Sequence, residues 1–447
     1  MLKLQYNFLA LVKVLVNALV AIMLIKVFGT SAKADAILLS FSIIGSLELI
    51  QLLFVEQFMY FYNDLKVKDS ANAMGFFNVA LSLAVIVGLL FYIATLLLIP
   101  VIIKLFASGL DAQRFIITKD IFSICAVSLV FTGANSVING ILIAENHFSF
   151  PYILTIIEPL FILIGLFWCF LAVDSDTNKV AYMAATGGIF QFAVSIFSLR
   201  RFAIYYAPRF KHPVIKDLIK NSFSMRAAHN IHNFLFPLIT TNILSSFPAG
   251  AISEFYYAKK IVDAVGNVST GPHLSVLFAN ISDDWSRQNM PRIKLLIKEF
   301  LPRVVLPLVS ISTITYFFIP YVLRVIVRNN TITSNTISII QLLFILLALW
   351  QIVLVMESPF VGVCVSSKNA IILGGVNSLY IVSFLAWNAL MRPCLGIYSI
   401  PTAYFLAQGI SLFLFTIFAL KILGVLKFDN LESALHETTK LILRRFL

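Results

Sequence analysis

Ile141-Leu142-Ile143-Ala144-Glu145-Asn146-His147 closes one long apolar run, and Val361-Gly362-Val363-Cys364-Val365-Ser366-Ser367-Lys368-Asn369 closes another about 220 residues further on. A looser echo at a similar offset joins Ser31-Ala32-Lys33-Ala34-Asp35-Ala36 to Pro248-Ala249-Gly250-Ala251-Ile252-Ser253. Repetition at this distance divides the chain into two related halves, and internal repeats of this kind are common in membrane transport folds.

A membrane-spanning helix needs about 20 mostly apolar residues. Working outward from the two turns, such runs fall at 8–29, 36–60, 74–101, 118–143, 150–173, 180–199, 222–246, 250–280, 299–325, 335–363, 368–391 and 398–425. Six spans per half give both halves the same orientation, as parallel repeats about an axis along the membrane normal. The expected fold is therefore all-α and polytopic, with about twelve transmembrane helices in two six-helix parallel repeats. Residues 1–200 form an N-terminal lobe, 201–221 a basic linker, 222–425 a C-terminal lobe, and 426–447 an amphipathic tail too short and charged to span. Such a pair encloses a central cavity. The plainer reading is that the duplication only builds a stable bundle.

Composition agrees. With 60% hydrophobic and 12% charged residues in 447 and a mean hydropathy of +0.94, the apolar surface exceeds what a soluble core could hide, so the surrounding solvent is lipid. The net charge of +12 does not point to nucleic acid, because the cations sit in short loops where they set topology and meet anionic lipid. Lys66, Lys68, the run from Arg200 and Arg201 to Lys220, the group from Arg287 to Lys298, Lys368 and the tail cations all fall on one side; Lys33, Lys104, Arg114, Lys119 and Lys179 are thinly scattered on the other. The positive-inside rule then places both termini in the cytoplasm of a plasma membrane. Cys125, Cys169, Cys364 and Cys394 are dispersed without ligand spacing, so neither disulfide nor metal is expected. The apolar run after Lys3 is too long for a signal-peptide core and is expected to stay as the first span.

An ionisable group inside a span costs about 2.5–3.5 kcal/mol on insertion scales, so those present mark candidate internal paths. Lys13 and Lys26 flank the first apolar stretch, with Asn17 between them; Lys26 lies near an end and can snorkel, whereas Lys13 is deep. Glu48 and Glu56 are eight residues apart, within about 80° on one helix face, with Gln51 between. Arg226, His229, His232 and Asn233 make a polar stripe on the seventh span, which headgroup contact at a helix end would equally explain. The eighth is the most polar, with Glu254, Lys259, Lys260, Asp263, Asn267, Ser269 and Thr270 ahead of Gly271-Pro272. A Gly-Pro pair in mid-span frees backbone groups that cavity water or neighbouring helices must satisfy, so this helix is expected to face the cavity and hinge there. Glu158-Pro159 and Glu357-Ser358-Pro359 each set a carboxylate beside a proline, as a cation or proton site or as a pinned kink. Glu56, Glu158, Glu254 and Glu357 are the ion-coupling candidates. There is no GxxxxGK[ST], HExxH or GxSxG and no large extramembrane loop, so ATP hydrolysis and enzymatic chemistry are not expected.

Lys13-Val14-Leu15, followed by Val27-Phe28-Gly29-Thr30-Ser31-Ala32-Lys33-Ala34-Asp35-Ala36, resembles the opening of the lipid II flippase (MurJ, also called MviN) family, where an arginine followed by Val-Leu precedes an F-G-x-x-x-x-x-D-A turn. Ser253-Glu254-Phe255-Tyr256-Tyr257-Ala258-Lys259-Lys260 is similar to that family's Tyr-Tyr-Ala followed by a cavity arginine, and Asn146-His147-Phe148-Ser149-Phe150-Pro151 to its N-x-F-S-x-P turn. With twelve spans in two halves, these stretches resemble the wider multidrug/oligosaccharidyl-lipid/polysaccharide exporter superfamily, which includes the Wzx-type flippases.

The resemblance implies Lys13 for the first-helix cation after a one-residue gap, Asp35 for the acid at the first turn, and Lys260 for the eighth-helix cation. The first helix is apolar around Val20, Glu48 stands where a base is expected, and the sequence ends after the twelfth span where lipid II flippases usually continue for two more helices. A pyrophosphate headgroup favours convergent cations, arginine forks above all, so mixed lysines and carboxylates point toward a lipid-linked sugar other than lipid II. The expected function is an inner-membrane flippase for a polyprenyl-diphosphate-linked sugar, a cell-wall or surface-polysaccharide precursor. Lys13, Asp35, Glu48, Lys259 and Lys260 would bind it without cofactor, among membrane lipids and in company with glycosyltransferases or a polymerase of the same pathway. Two rivals stand: a cation-coupled multidrug-type exporter, favoured by the carboxylates and opposed by the lysines, and a non-transporting scaffold of envelope assembly.

Overall fold

The computed structural model describes residues 2–52, 58–147, 149–173, 176–326, 333–367 and 369–425. Glu56 and the tail 426–447 lie outside these residues, as do the side chains of Arg226, His229, His232, Gly271 and Pro272. The described chain is helical with no strand: α1 (Leu2–Phe28), α2 (Ala32–Leu52), α3 (Phe58–Lys68), α4 (Ser70–Phe106), α5 (Ala112–Cys125), α6 (Leu129–Ala144), α7 (Ser149–Leu171), α8 (Thr177–Arg201), α9 (Ile215–Ser245), α10 (Ala251–Ser286), α11 (Met290–Ile326), α12 (Ser334–Ser366), α13 (Ala370–Leu395) and α14 (Ser399–Ile422).

Each of the twelve expected spans holds a helix among the described residues. The second contains α2 and the start of α3, and a 3₁₀ turn at Ala126–Ser128 divides the fourth between α5 and α6. By length and composition, eight described stretches can cross a membrane, the last of them, Ile372–Ile422, holding two helices. Several helices overrun their apolar runs: α9 begins at Ile215, α11 at Met290, and α10 continues to Ser286. Backbone bonding in a helix does not stop where the hydrocarbon stops, and water satisfies the charged turns beyond it. The backbone of α10 is helical throughout, so Gly271 and Pro272 do not interrupt it.

The two halves pack alike. In the first, α1 lies on α7, α7 on α8, α4 on α6, and α2 on α5; in the second, α9 lies on α13, α13 on α14, α11 on α12, and α10 on α12. The repeated turns share a cap as well. His147 N–H donates to the Leu142 carbonyl and Asn146 N–H to that of Ile143, with Asn146 left-handed at φ 65°, which is a Schellman ending. Five residues likewise separate donor and acceptor where Asn369 N–H reaches the Cys364 carbonyl.

Glu145 at the end of α6 meets an unfavourable helix dipole and is held from α3, by Lys66 at 2.8 Å and by the Tyr62 hydroxyl at 2.7 Å. Burial pushes the Glu145 carboxyl up, but these hydrogen bonds outweigh burial and hold it below the usual carboxylate range. A carboxyl lowered on folding stabilises the fold above its unfolded value and loses that contribution as pH falls through the folded one. Glu145→Gln is therefore expected to lower the melting temperature at neutral pH, with the difference from the parent vanishing on acidification below about pH 4. A difference unchanged on acidification would refute the assignment.

Hydrophobic packing separates the two ends of the molecule. At one end a single core runs across both halves, from Leu24, Ile37 and Phe106 to Phe255, Phe344 and Tyr404. At the other end each half has its own: Phe58, Phe76, Phe77 and Ile141 in the first, Leu277, Ile297, Val363 and Phe415 in the second. The halves are thus joined at one end and part toward the other, which carries the basic turns. Helix α9 crosses between them. Its start, at Leu218, is buried in the N-terminal core, while Phe236 packs on Tyr380, Phe384 and Tyr404 of the C-terminal half.

Candidate functional site

Two of the repeated turns meet at the joined end. Asp35, fully buried in the first turn of α2, accepts from the N–H of Gly250 at 2.7 Å and of Ser253 at 2.8 Å, so its carboxylate caps α10 of the opposite half. An anion at a helix N-terminus is favoured by the free N–H groups and the helix dipole. Gly250 sits at φ 99°, and a side chain there would come within 3.2 Å of the Thr30 carbonyl; only glycine suits both demands. Tyr257 donates to the Gly29 carbonyl at 2.8 Å, and Tyr256 to Ser42 at 2.7 Å.

Arg114 of α5 completes this latch. It is 4% exposed, lies 3.7 Å from Asp35 and 2.6 Å from Asp111, and donates to the Phe247 carbonyl at 3.2 Å at the end of α9. Asp111 stands outside the spans, where hydrogen bonding to the Arg114 backbone and side chain holds its carboxyl below the ordinary range. Asn242 ties α9 to the Leu105 carbonyl, and Gly109 N–H donates to Ser245. By local spacing Arg114 is only a scattered loop cation, because the groups that bury it, Asp35 and the carbonyls after α9, come from other elements 79 to 133 residues away.

Away from the latch the walls open. With a rise of 1.5 Å per residue, Tyr256 stands about 9 Å from the Gly250 cap, Lys260 about 15 Å, and Lys13 about 24 Å from the α1–α2 turn, depths that fall inside a hydrocarbon layer about 30 Å thick. Lys260 is half-buried and makes no ion pair among the described residues. Lys259 is paired within its own helix, at 2.6 Å from Asp263. Lys13 is half-buried in α1, the helix that packs on both α7 and α10.

The acids separate into three places. Glu254, in the first turn of α10, bonds to Thr336 beside the latch. Glu357 is buried in the C-terminal half, where Gln408 donates to it at 2.6 Å and Trp350 donates to Gln408 at 3.1 Å. Glu48 accepts from Thr132 of α6 at 3.0 Å within the N-terminal half, where Glu158 stands half-buried on α7. The five substrate-binding candidates are thus dispersed: Asp35 belongs to the latch, Glu48 to the N-terminal interior, and Lys13, Lys259 and Lys260 to α1 and α10. Among the described residues no group of His, Cys, Asp and Glu could hold a metal.

The family model described as "Lipid II flippase MurJ" matches residues 24–444. The chain belongs to the lipid II flippase MurJ family. Its members are flippases and not enzymes, and this MurJ-family chain is a multi-pass membrane transporter of lipid-linked precursors. Among solved structures it is similar to "Lipid II flippase MurJ, inward closed conformation", at 18% identity and a TM-score of 0.77 over 93% of this chain and 87% of that one. An inward-facing multidrug resistance MATE family transporter of the MOP superfamily is similar at 11% identity and 0.76, over 92% and 94%. The Vibrio cholerae MATE transporter VcmN in its bent form follows at 14% and 0.59, over 93% and 94%. At these identities the likeness is one of fold. Among curated proteins none matches in sequence.

Proposed function

We propose that this chain translocates a polyprenyl-diphosphate-linked sugar, a precursor of cell wall or surface polysaccharide, across the bacterial inner membrane by alternating access. The observation that carries this reading is Lys260. It is a half-buried cation without an ion-pair partner among the described residues, one helical turn below the Tyr256–Ser42 contact where the halves begin to part. Asp263 acts on it from three residues along but is bonded to Lys259, so a cation at such depth stays costly unless a further anion visits it, and a diphosphate is the anion that a lipid-linked sugar brings. Lys13 supports it from α1 and Lys259 from the adjoining position on α10, about 100° round the helix, with Asp263 yielding Lys259 when phosphate arrives.

The joined end carries the thinly charged turns and the parting end the basic ones, so under the positive-inside rule the cleft faces the cytoplasm and both termini lie there. Rocking of the halves about the latch, with Gly271-Pro272 as hinge in α10, would present the headgroup to the outer leaflet. Glu158, Glu254 and Glu357 are the described acids available to couple that movement to a cation gradient. Glycosyltransferases or a polymerase would supply and consume the lipid.

The test is flipping of a fluorescent polyprenyl-diphosphate sugar in proteoliposomes. Lys260→Glu is expected to slow it at least about tenfold, the equivalent of one charge-assisted contact, while Lys119→Glu, at an exposed position on α5, leaves it unchanged. Flipping at the parent rate by Lys260→Glu would remove the basis of the proposal.

A further inference from the structure

The linker between the halves is strapped to the N-terminal half. At its start Phe202 stacks on His147, with ring centroids 3.9 Å apart. Tyr206 packs edge-on against Phe77 of α4 and bonds to the Ser82 hydroxyl at 2.8 Å. The Ala207 N–H donates to Asn78 Oδ1 at 3.1 Å, and the Arg209 N–H to Ser82 Oγ at 3.3 Å. His212 closes the strap. Its ring packs edge-on against Phe76, and Nε2 lies 2.9 Å from Asn72 Oδ1. The same residue begins α9, for its carbonyl accepts from Ile215 N–H at 3.2 Å and its Nδ1 from Val214 N–H at 3.3 Å.

These partners fix the tautomer. A backbone N–H can only donate, so Nδ1 keeps its lone pair for Val214, and the one ring proton sits on Nε2 and goes to Asn72 Oδ1. A neutral imidazole satisfies both neighbours. A second proton can enter only at Nδ1, where it would face the Val214 N–H and break the contact that starts α9. The surroundings do not offset that loss with an anion. Arg209 adjoins the ring, since a methyl on Gly75 would lie 3.6 Å from its guanidinium and 3.9 Å from the His212 ring; Lys211 and Lys216 flank His212 along the chain. Of the acids, Asp69 caps α4 through the Ala71 and Asn72 N–H groups, Asp64 of α3 holds Lys68, Glu145 holds Lys66, and Asp217 of α9 is exposed. None of them pairs with the ring among the described residues. Burial accordingly holds the imidazole of His212 below its ordinary value, against the bond to Asn72. His147 differs, because a charge there would lie on the face of Phe202 and near Glu145, both favourable.

We propose that His212 is a proton-operated fastener: neutral, it holds the linker and the start of α9 on the N-terminal half, and a proton arriving at Nδ1 releases them. Because α9 also packs on Tyr380, Phe384 and Tyr404 of the other half, release of its start frees the helix that joins the two. The fastened state favours the neutral ring, so the strap is closed above the ordinary histidine value of about 6.5 and opens as pH falls below it. The device acts on the movement of the halves whatever the cargo.

Amide exchange of the purified full chain, read by mass spectrometry on peptides covering 203–211 and corrected for the chemical effect of pH, tests the fastener. Between about pH 7.5 and 5.5, opening of the strap is expected to rise by up to about tenfold, the limit for one histidine that takes its proton only when released. His212→Gln, which keeps an amide donor for Asn72 without a titratable ring, removes the pH dependence. His212→Phe, which keeps the packing on Phe76 without the bonds, exchanges fast at both pH values, and His147→Asn retains the dependence of the parent. A strap equally protected at both pH values in the parent, or a dependence that survives in His212→Gln, overturns the proposal. Either result leaves the Lys260 outcome untouched, since the fastener does not depend on the cargo.

Discussion

Asp35→Asn is expected to release the joined end of the molecule and lower stability by about 2–4 kcal/mol, the range for unpairing buried, charge-assisted hydrogen bonds. The substitution is nearly isosteric, so its effect is one of bonding. Asp35 presents one oxygen to Gly250 N–H and the other to Ser253 N–H. An asparagine offers one acceptor and turns its NH₂ toward the second donor, leaving a buried N–H facing another N–H. It also removes the negative charge that Arg114 faces at 3.7 Å, and Arg114 is 4% exposed. The consequence is conformational as well as energetic, since this end holds the polar contacts of α2 with α10 and of α4 and α5 with α9. Weakening one side of a two-state equilibrium shifts its populations by the same free energy. Thr30→Cys, against Gly250, reports the change once the exposed Cys394 has been replaced: protected from a membrane-impermeant maleimide in the parent, labelled in Asp35→Asn. An Arg114→Leu variant should share much of the effect, so that the double substitution costs less than the sum of the singles. Unchanged labelling together with an unchanged melting temperature would show that the latch does not hold the halves.

The architecture was legible because its determinants are long and repetitive. A run of twenty apolar residues admits one structure in lipid, and the recurrence of the Ile141–His147 turn was enough to pair the halves. The parallel between Ser31–Ala36 and Pro248–Ser253 was visible too, though not that the two turns would dock on each other; related turns meet where a pseudo-twofold axis passes, and Asp35 and Gly250 stand there. The division of the fourth span by a 3₁₀ turn at Ala126–Ser128 left no mark in the apolar pattern. Arg114 was hidden for a different reason. Its burial is created by carbonyls at the end of α9 in the other half, and no local spacing announces such a partner. The periodicity of α2 put Glu48 and Gln51 near one face but could not say which neighbour that face would meet; the neighbour is α6, whose Thr132 and Leu129 carbonyl receive them.

The closeness of α4 to α6 yields the second large effect, at Gly88. A methyl group added there would lie 2.3 Å from the Val130 carbonyl oxygen and 2.9 Å from its carbon. Neither atom belongs to a side chain that can swing aside, so the first turn of α6 would have to withdraw from α4. Small residues let transmembrane backbones approach in this way, and overpacking such a contact costs about 1–3 kcal/mol. Gly88→Ala should therefore lower both the yield of folded protein in detergent and its melting temperature. Gly375→Ala in α13, where nothing lies within 4 Å, should leave both unchanged or raise them slightly through the better helix propensity of alanine, worth up to about 1 kcal/mol. The displacement would reach further than the contact itself. Gln51 donates to the Leu129 carbonyl at 2.8 Å, next to Val130, and its Nε2 lies 3.0 Å from the added methyl. One turn along α2 from Gln51, Glu48 bonds to Thr132, so moving the start of α6 disturbs that bond too. Gly88→Ala should thus strain both hydrogen bonds between α2 and α6, whereas the same methyl at Gly375 touches neither. An equal fall in melting temperature at both positions would mean that the substitutions act through general destabilisation, and an unchanged melting temperature in Gly88→Ala would mean that α6 can yield without loss of its packing on α4.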